Sequence, residues 1–388
     1  MRQNIIQEKY RAYPGTDGCF GALEQARLAQ PLCSPNPAVG CVLTSPNDNA
    51  PIGHGHTQQA GGPHAEIMAL RDAQARGNSV VGATAYVTLE PCSHHGRTGP
   101  CCDALIAARI KKVVATNTDP NPLVAGQGFA RLRAAGVEVD VLAADDPLAI
   151  VARELNIGFF SRMVRKRPWV RMKIAASLDG CTALPDGTSQ WITGEAARAD
   201  GHAWRARACA VLTGIGTVLQ DNPRLDVRLV EALRQPQVVI VDSRLETPPD
   251  AAILIAGRPT LIYAAVPEAS RRAALEQQGA TVICCSGTGE GTRSKVHLST
   301  MLRDLAVREI NELHVEAGFK LNGSLIAAGL VDEFLVYLAP KLIGQGLGMA
   351  NIGVLGALSD AVALVYQSAE MVGTDLRVIA RIPGCDQF

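Results

Sequence analysis

The sequence predicts an α/β protein built as two domains in tandem. Three observations carry this. The chain has 388 residues, 47% of them hydrophobic, enough to bury more than one core. Short apolar runs alternate with helical periodicity in both halves. Between the two alternations lies a basic stretch ending in a proline, residues 162–168. Alternation of this kind implies a sheet with helices on both faces.

In the first half, from Phe20 to about Asp146, residues 38–43, 83–89, 111–116 and 137–142 read as strands. Residues 64–73, 101–108 and 128–135 read as the helices between them. A helix-like segment from Asp146 to about Arg162 leads into the basic run, and the extended chain that a proline favours before it places the boundary near Lys166. The expected division is therefore 1–147 for the first domain, 148–166 for a connecting helix and linker, and 167–388 for the second domain. In that last part residues 168–176, 208–213, 237–242, 260–265, 281–285, 312–317, 334–339 and 376–380 are strand-like, and 197–206 and 322–329 are helical. No fixed-period repeat is visible, which excludes a solenoid.

Lys and Arg number 37, as do Asp and Glu. With no overall positive field and no basic stripe interleaved with aromatics, nucleic acid is not an expected partner. The eleven cysteines are odd in number, scattered, and adjacent at Cys101–Cys102 and Cys284–Cys285. That pattern fits reduced thiols in a cytoplasmic protein better than a disulfide framework. The first ten residues lack the apolar core of a signal peptide, and no run approaches the roughly 18 apolar residues of a membrane span.

Chemistry concentrates in two stretches, PHAEI and PCSHHGRTGPC, which supply His64, Glu66, Cys92 and Cys101. One imidazole and two thiolates suit zinc and leave its fourth position for water. Such a metal brings the ionisation of water to about pH 7. Glu66 lies two residues beyond a ligand and need not bind the ion, so it can carry a proton from that water to a leaving amine. His64 and Cys101 fall at expected helix starts, where free amides and the helix dipole favour thiolate and anionic ligands. Cys102 leaves a one-residue ambiguity about the last ligand. An H-x-E followed by Pro-Cys and a later Cys is the pattern of zinc deaminases. Here eight residues separate the cysteines, where nucleobase deaminases have two, so the insert bears on substrate.

In the second half, residues 287–291 (GTGEG) lack the full dinucleotide fingerprint. Residues 315–324 join a strand to a helix through glycines. They make either an ordinary turn or a helix start whose amides hold cofactor phosphates.

With these motifs, KIAASLDG from Lys173, SQWIT from Ser189, TGIGTVLQDNP from Thr213 and VDSR from Val241 mark the chain as similar to the bifunctional deaminase/reductases of riboflavin biosynthesis, over roughly residues 18–382. The resemblance implies a cytidine-deaminase-like three-layer α/β domain followed by a dihydrofolate-reductase-like α/β domain. It implies one Zn2+, held by His64, Cys92 and Cys101, with Glu66 as the catalytic acid-base. It also implies NADPH, facing Ala175, Trp191, Thr217, Asp221, Ser243 and the segment Gly318, Phe319, Lys320, Leu321, Asn322, Gly323 and Ser324. The first substrate would meet Asn36, His95, Arg97, Asp119 and Asn121. The second would meet Lys173, Ser189, Arg205, Leu225, Arg228 and Glu316. A homo-oligomer is expected by the same analogy.

Physical chemistry supports parts of this assignment. An Asn amide pairs with both a carbonyl and an N–H of a pyrimidine edge. Arg205 and Arg228 can form charge-assisted bonds to a sugar phosphate, and Lys173 and Glu316 can bind ribose or move protons. The DPNP segment that holds Asp119 and Asn121 either shapes the pocket or simply turns the chain. Three departures touch fine positioning: Arg97 where relatives carry Lys, AspAsnPro at 221–223 in place of AspAspPro, and Asp226 in place of Thr. The implied reaction is hydrolytic deamination of a diaminopyrimidinone ribosylamine phosphate, then hydride delivery to its opened sugar. Rival readings are a deaminase of tRNA or free nucleosides, and a regulatory module with structural zinc, for which Glu66 would have no use.

Overall fold

The computed structural model describes residues 17–94, 99–122, 124–287 and 294–388. It divides into two compact units, the first ending at Arg165 and the second spanning Lys166–Gln387.

The first unit contains a five-stranded sheet in the order β2-β1-β3-β4-β5, with β1 Gly40–Thr44, β2 Pro51–His56, β3 Thr84–Val87, β4 Lys112–Ala115 and β5 Glu138–Val141. Its helices are α1 Asp17–Ala29, α2 Ala65–Ala75, α3 Cys101–Ala107, α4 Gln127–Ala134, α5 Pro147–Leu155 and α6 Ile157–Arg165. Strand alternation separates two cores. Cys41, Leu43, Ala85, Val87, Val113 and Ala115 face α2, α3, α4 and α6. The intervening Tyr86 and Val114 meet α1 and α5 through Cys19, Leu23, Leu148 and Ala152. The result is the three-layer arrangement expected from the sequence.

Strand β2 and the helix pair α5–α6 depart from the sequence expectation, each for a physical reason. Strand β2 reads PIGHGH and lacks an apolar face because its inward positions are Gly53 and Gly55. A Cβ there would stand 2.5 Å from the Ala69 carbonyl oxygen and 2.4 Å from the Ala69 nitrogen, respectively. Helix α2 lies so close that only hydrogen fits. The segment expected as a connecting helix and linker is a pair of helices, α5 and α6, broken at Asn156. Its buried Leu148, Ala152, Phe159 and Phe160 pack into the cores of the first unit.

The second unit contains a nine-stranded sheet in the order β11-β10-β9-β8-β12-β6-β13-β16-β15. Its strands are β6 Trp169–Ser177, β8 Ala210–Gly214, β9 Gln237–Val241, β10 Thr260–Ala264, β11 Ala280–Cys284, β12 Glu312–Val315, β13 Glu333–Ala339, β15 Val365–Val372 and β16 Asp375–Arg381. Short strands β7 Cys181–Ala183 and β14 Leu347–Gly348 pair separately. The strands from β11 to β13 run parallel, and β16 and β15 add an antiparallel edge. Helices α7 Glu195–Arg207, α8 Ile215–Asp221, α9 Ala269–Gln277, α10 Leu298–Val307 and α11 Phe319–Ala327 cover it. α10 and α11 pack on one face through Met301, Leu305 and Leu325. α8 and α9 pack on the other through Val218 and Leu275.

Strand β12 sits between β6 and β8, which breaks the sequential order. Both β8 and β12 pass directly into helices, α8 after Gly214 and α11 after Gly318. Open α/β sheets bind ligands outside the carboxyl ends of strands at such a switch point. Among the described residues, no helix is long and apolar enough to cross a membrane.

Candidate active sites

In the first unit, one sheet edge gathers the chemistry. It comprises the start of β1, the end of its antiparallel neighbour β2, and the ends of the parallel strands β3 and β4. Asn36 precedes β1, Cys92 follows β3, and Asp119 and Asn121 follow β4. His64 caps the start of α2, and Cys101 is the first residue of α3.

The ligand atoms of His64, Cys92 and Cys101 lie within 4.8 Å of one another. His64 Nδ1 is 3.6 Å from Cys92 Sγ and 3.4 Å from Cys101 Sγ. A tetrahedral ion with bonds of about 2.0–2.3 Å would hold N and S about 3.5 Å apart, so the donor set fits zinc. The Cys101 backbone N–H donates to Cys92 Sγ at 3.3 Å. Cys92 is pushed down to about 4, first by the hydrogen bond from the Cys101 thiol, against burial, and then by His64. Cys101 is pushed up by Cys92 and by burial. Cys102 turns away, its thiol donating to the carbonyl oxygens of Pro91 (3.2 Å) and Gly128 (3.5 Å) in the core.

Glu66 is buried in the first turn of α2. Burial first, and then Cys92, raises its carboxyl above the usual range. Asp119 is also buried, and burial pushes it up to about 7, with the Asn121 N–H (2.8 Å to Oδ1) opposing and Glu90 adding to the rise. His95 and Arg97 lie outside the described residues.

Sequence reasoning missed Glu90, which is buried and gathers the far wall. Its Oε2 accepts the N–H groups of Asp119 (3.2 Å) and Gly126 (2.9 Å), and its Oε1 those of Gly128 (2.8 Å) and Phe129 (3.3 Å). The only local signal is its place two residues before Cys92. Its partners lie 29–39 residues downstream.

In the second unit, Glu316 follows β12 directly and meets two cations and a buried histidine. Arg205 donates Nε to Oε1 at 2.7 Å and Nη2 to Oε2 at 2.9 Å, Lys173 Nζ stands 3.9 Å away, and His314 Nε2 stands at 3.5 Å. Burial opposes ionisation of Glu316, but Arg205 and Lys173 outweigh it and hold the carboxyl well below its usual range. Burial lowers Lys173 against the pull of Glu316. His314, also missed from sequence, is pushed down to about 3 by burial and is neutral at ordinary pH.

Arg205 is only 7% exposed, and its Nη1 donates to the Asp226 carbonyl at 2.6 Å. Arg228 is exposed, with Nη1 2.8 Å from Asp226 Oδ1 and its backbone N–H on His202 Nδ1 at 3.2 Å. Of the two arginines expected to meet a phosphate, Arg228 is the accessible one. Leu225 is buried nearby in sequence, and Ser189 is half-buried on a separate loop.

Gly318 and Thr217 meet across the two helix starts, where a Cβ on Gly318 would lie 3.5 Å from Thr217 Oγ1. Along α11, Asn322 Nδ2 donates to the Met349 carbonyl at 3.0 Å. Gly323 has the Asn351 carbonyl oxygen where its Cβ would be, at 1.8 Å. Leu321 approaches Gly214, and Phe319, Lys320 and Ser324 share the same short helix. Ala175 lies two residues beyond Lys173 on β6, and Asp221 ends α8 with its carboxyl raised by burial. The Ser243 carbonyl accepts from Ala265 (3.1 Å) and Val266 (2.9 Å) just beyond β9. The Trp191 ring is 62% exposed and carries the Arg198 guanidinium 4.7 Å from its centroid.

Comparison with known proteins accounts for both units. Residues 20–117 match the cytidine and deoxycytidylate deaminase zinc-binding region, and residues 168–378 match the RibD C-terminal domain. Riboflavin biosynthesis protein RibD of Escherichia coli is 42% identical over 92% of this chain and 96% of its own length. That of Aquifex aeolicus is 38% identical over 92% and 95%. Among solved structures, Acinetobacter baumannii RibD superposes with a TM-score of 0.83 at 38% identity, covering 94% of this chain and 97% of its own. A Thermotoga maritima diaminohydroxyphosphoribosylaminopyrimidine deaminase/5-amino-6-(5-phosphoribosylamino)uracil reductase superposes with 0.81 at 31%, covering the same shares. With relatives this similar along nearly its whole length, the chain belongs to the RibD family of bifunctional riboflavin biosynthesis enzymes, a deaminase and a reductase in one polypeptide.

Proposed function

We propose that residues 1–147 carry hydrolysis of the amino group of 2,5-diamino-6-(5-phosphoribosylamino)pyrimidin-4(3H)-one, and that residues 167–388 reduce the ribosyl group of the resulting uracil to ribityl. The observation that carries the first step is the His64, Cys92 and Cys101 triangle with the buried Glu66 beside it. Zinc supplies Lewis acidity there and lowers the pKa of water. Glu66 then takes a proton from the attacking water and returns one to the departing ammonia. Asn36 pairs with the pyrimidine edge, with Asp119 and Asn121 forming the opposite wall and His95 and Arg97 facing the ring or the ribose phosphate.

NADPH supplies the hydride for the second step. The helix starts after Gly214 and Gly318 offer amides to its phosphates, with Thr217 in the first turn of α8 and Phe319, Lys320, Leu321, Asn322, Gly323 and Ser324 along α11. Ala175, Trp191, Asp221 and Ser243 complete the cofactor site. Lys173 and Glu316 bind the opening ribose and move its protons, oriented by Arg205. Arg228 takes the phosphate, with Ser189 and Leu225 lining the pocket. The protein acts in the cytoplasm as a homo-oligomer. Supporting the latter, the edge strand β15 and the segment before it leave Tyr366 76% and Leu358 90% exposed, an apolar surface of the kind that marks interfaces.

The test supplies the diaminopyrimidine phosphate first without and then with NADPH, following ammonia and reduced-nicotinamide absorbance. Ammonia appears before NADPH is added, and oxidation begins only afterwards. Glu66→Gln keeps zinc and lowers ammonia release by roughly 10²–10⁴-fold. Equal release from the variant would remove the proton-carrying role.

A further inference from the structure

We propose that Asn156 is a positioning residue for deamination, acting through the loop that presents Asn36; this rests on the reading that Asn36 holds the pyrimidine. Backbone donors are few immediately around Asn36. Asn36 stands between Pro35 and Pro37, neither of which has a backbone N–H to donate. The Asn36 N–H is spent on the Cys33 carbonyl at 2.8 Å. The next donor is the N–H of Ala38, and no strand is there to take it, because β1 begins only at Gly40.

Asn156 takes that donor. Its Oδ1 accepts the Ala38 N–H at 2.7 Å, and its Nδ2 donates to the Ala38 carbonyl at 2.9 Å. One side chain thus imitates a strand neighbour across 118 residues of sequence. On the other side of Asn36, Arg162 Nη2 donates to the Pro35 carbonyl at 3.1 Å. Asn36 is therefore bracketed by two anchors, both supplied by the helix pair α5–α6. The break between those helices has a cause in this role, since Asn156 caps α5 with non-helical angles and is 5% exposed, aimed at the loop rather than at solvent. The same helix pair also braces the opposite wall. Arg153 Nη1 donates to Asn117 Oδ1 at 3.2 Å, and Asn117 Nδ2 to the Ala149 carbonyl at 3.0 Å, two residues before Asp119.

A buried amide that satisfies both backbone groups of one residue restrains that residue strongly, because losing it leaves two buried polar groups unmatched. Such restraint acts on substrate placement and not on the zinc ligands, which hang from α2, α3 and the end of β3.

The experiment uses the full-length zinc enzyme and measures ammonia release from the diaminopyrimidine phosphate. Asn156→Ala is expected to raise KM about tenfold with kcat held within about threefold, with zinc unchanged at one per chain. NADPH oxidation with the deaminated substrate stays unchanged. Asn36→Ala raises KM too, and Asn36→Ala/Asn156→Ala raises it no further than Asn36→Ala alone, within about twofold, because both act on one contact. Arg162→Gln, which keeps the Asn156 pairing, gives a smaller rise of about threefold that also vanishes in the Asn36→Ala background.

The outcomes separate cleanly. An unchanged KM in Asn36→Ala defeats the base-holding reading, and the positioning role falls with it. A raised KM in Asn36→Ala beside an unchanged one in Asn156→Ala defeats positioning alone. So do additive effects in the double variant. Should Asn156→Ala lose zinc, Arg162→Gln decides, and zinc loss there as well would make the helix pair purely structural.

Discussion

Arg205 and Glu316 lie 111 residues apart and meet through two parallel hydrogen bonds, 2.7 and 2.9 Å long. A guanidinium fork matches a carboxylate in this way, and an ammonium cannot. The pair fixes both oxygens of Glu316 beside Lys173, which stands 3.9 Å away.

Arg205→Lys is therefore expected to keep the charge and lose the orientation. NADPH oxidation should fall about tenfold or more, with ammonia release unaffected. The sign of the pH effect follows from Glu316 being held below its usual value of 4.5. Its contribution to stability is complete above the unfolded value and is lost as pH falls through the lower folded one. Melting of Glu316→Gln against the parent should thus differ most near neutrality and converge as pH drops below about 4.5. A gap that widens in acid would contradict the ionised pairing.

The zinc triangle was legible in the sequence because metal chemistry restricts residue types and helix starts restrict spacing, so His64, Glu66, Cys92 and Cys101 sit in short motifs. The sheets were legible where strands bury apolar side chains on alternate positions. Strand β2 escaped because its inward residues are glycines under α2, and β15 because as an edge strand it buries little. Glu90, Asn156 and His314 escaped for a shared reason: each matters through groups far away in sequence or on neighbouring strands, and nothing adjacent to them announces those partners. The helix pair α5–α6 was read as a connector because its amphipathic pattern does not say which core receives it.

Asp119 tests the electrostatics of the first pocket. Burial pushes it up to about 7, above its ordinary value of 3.8. An acid with a raised folded value costs the folded state increasingly as pH climbs from its unfolded value to its folded one. Asp119→Asn removes that cost and keeps the shape. Relative to the parent, the variant should match near pH 4 and be more stable at pH 8, by something on the order of 1–4 kcal/mol. Urea melts at both pH values measure it. Equal differences at the two would mean that Asp119 titrates alike in the folded and unfolded chains, so that burial does not raise it.

Gly323 tests how tightly α11 is held at the proposed cofactor site. A Cβ at this position would lie 1.8 Å from the Asn351 carbonyl oxygen and 2.7 Å from the Asn351 nitrogen, both backbone atoms that cannot swing aside. The same segment is tied to the helix by the Asn351 N–H on the Phe319 carbonyl at 2.9 Å and by Asn322 on the Met349 carbonyl at 3.0 Å. Gly323→Ala must therefore shift the helix start or the 349–351 segment, at a cost of about 1–3 kcal/mol, and should raise KM for NADPH. Gly216 in α8 is the control, since nothing lies within 4 Å of a Cβ there. Gly216→Ala should gain up to about 1 kcal/mol from reduced freedom of the unfolded chain. Thermal melts rank the two variants, and NADPH titration of the reductase reads the site. A Gly323→Ala protein as stable as the parent with unaltered KM would mean that α11 and the 349–351 segment separate freely, and that the cofactor does not depend on their packing.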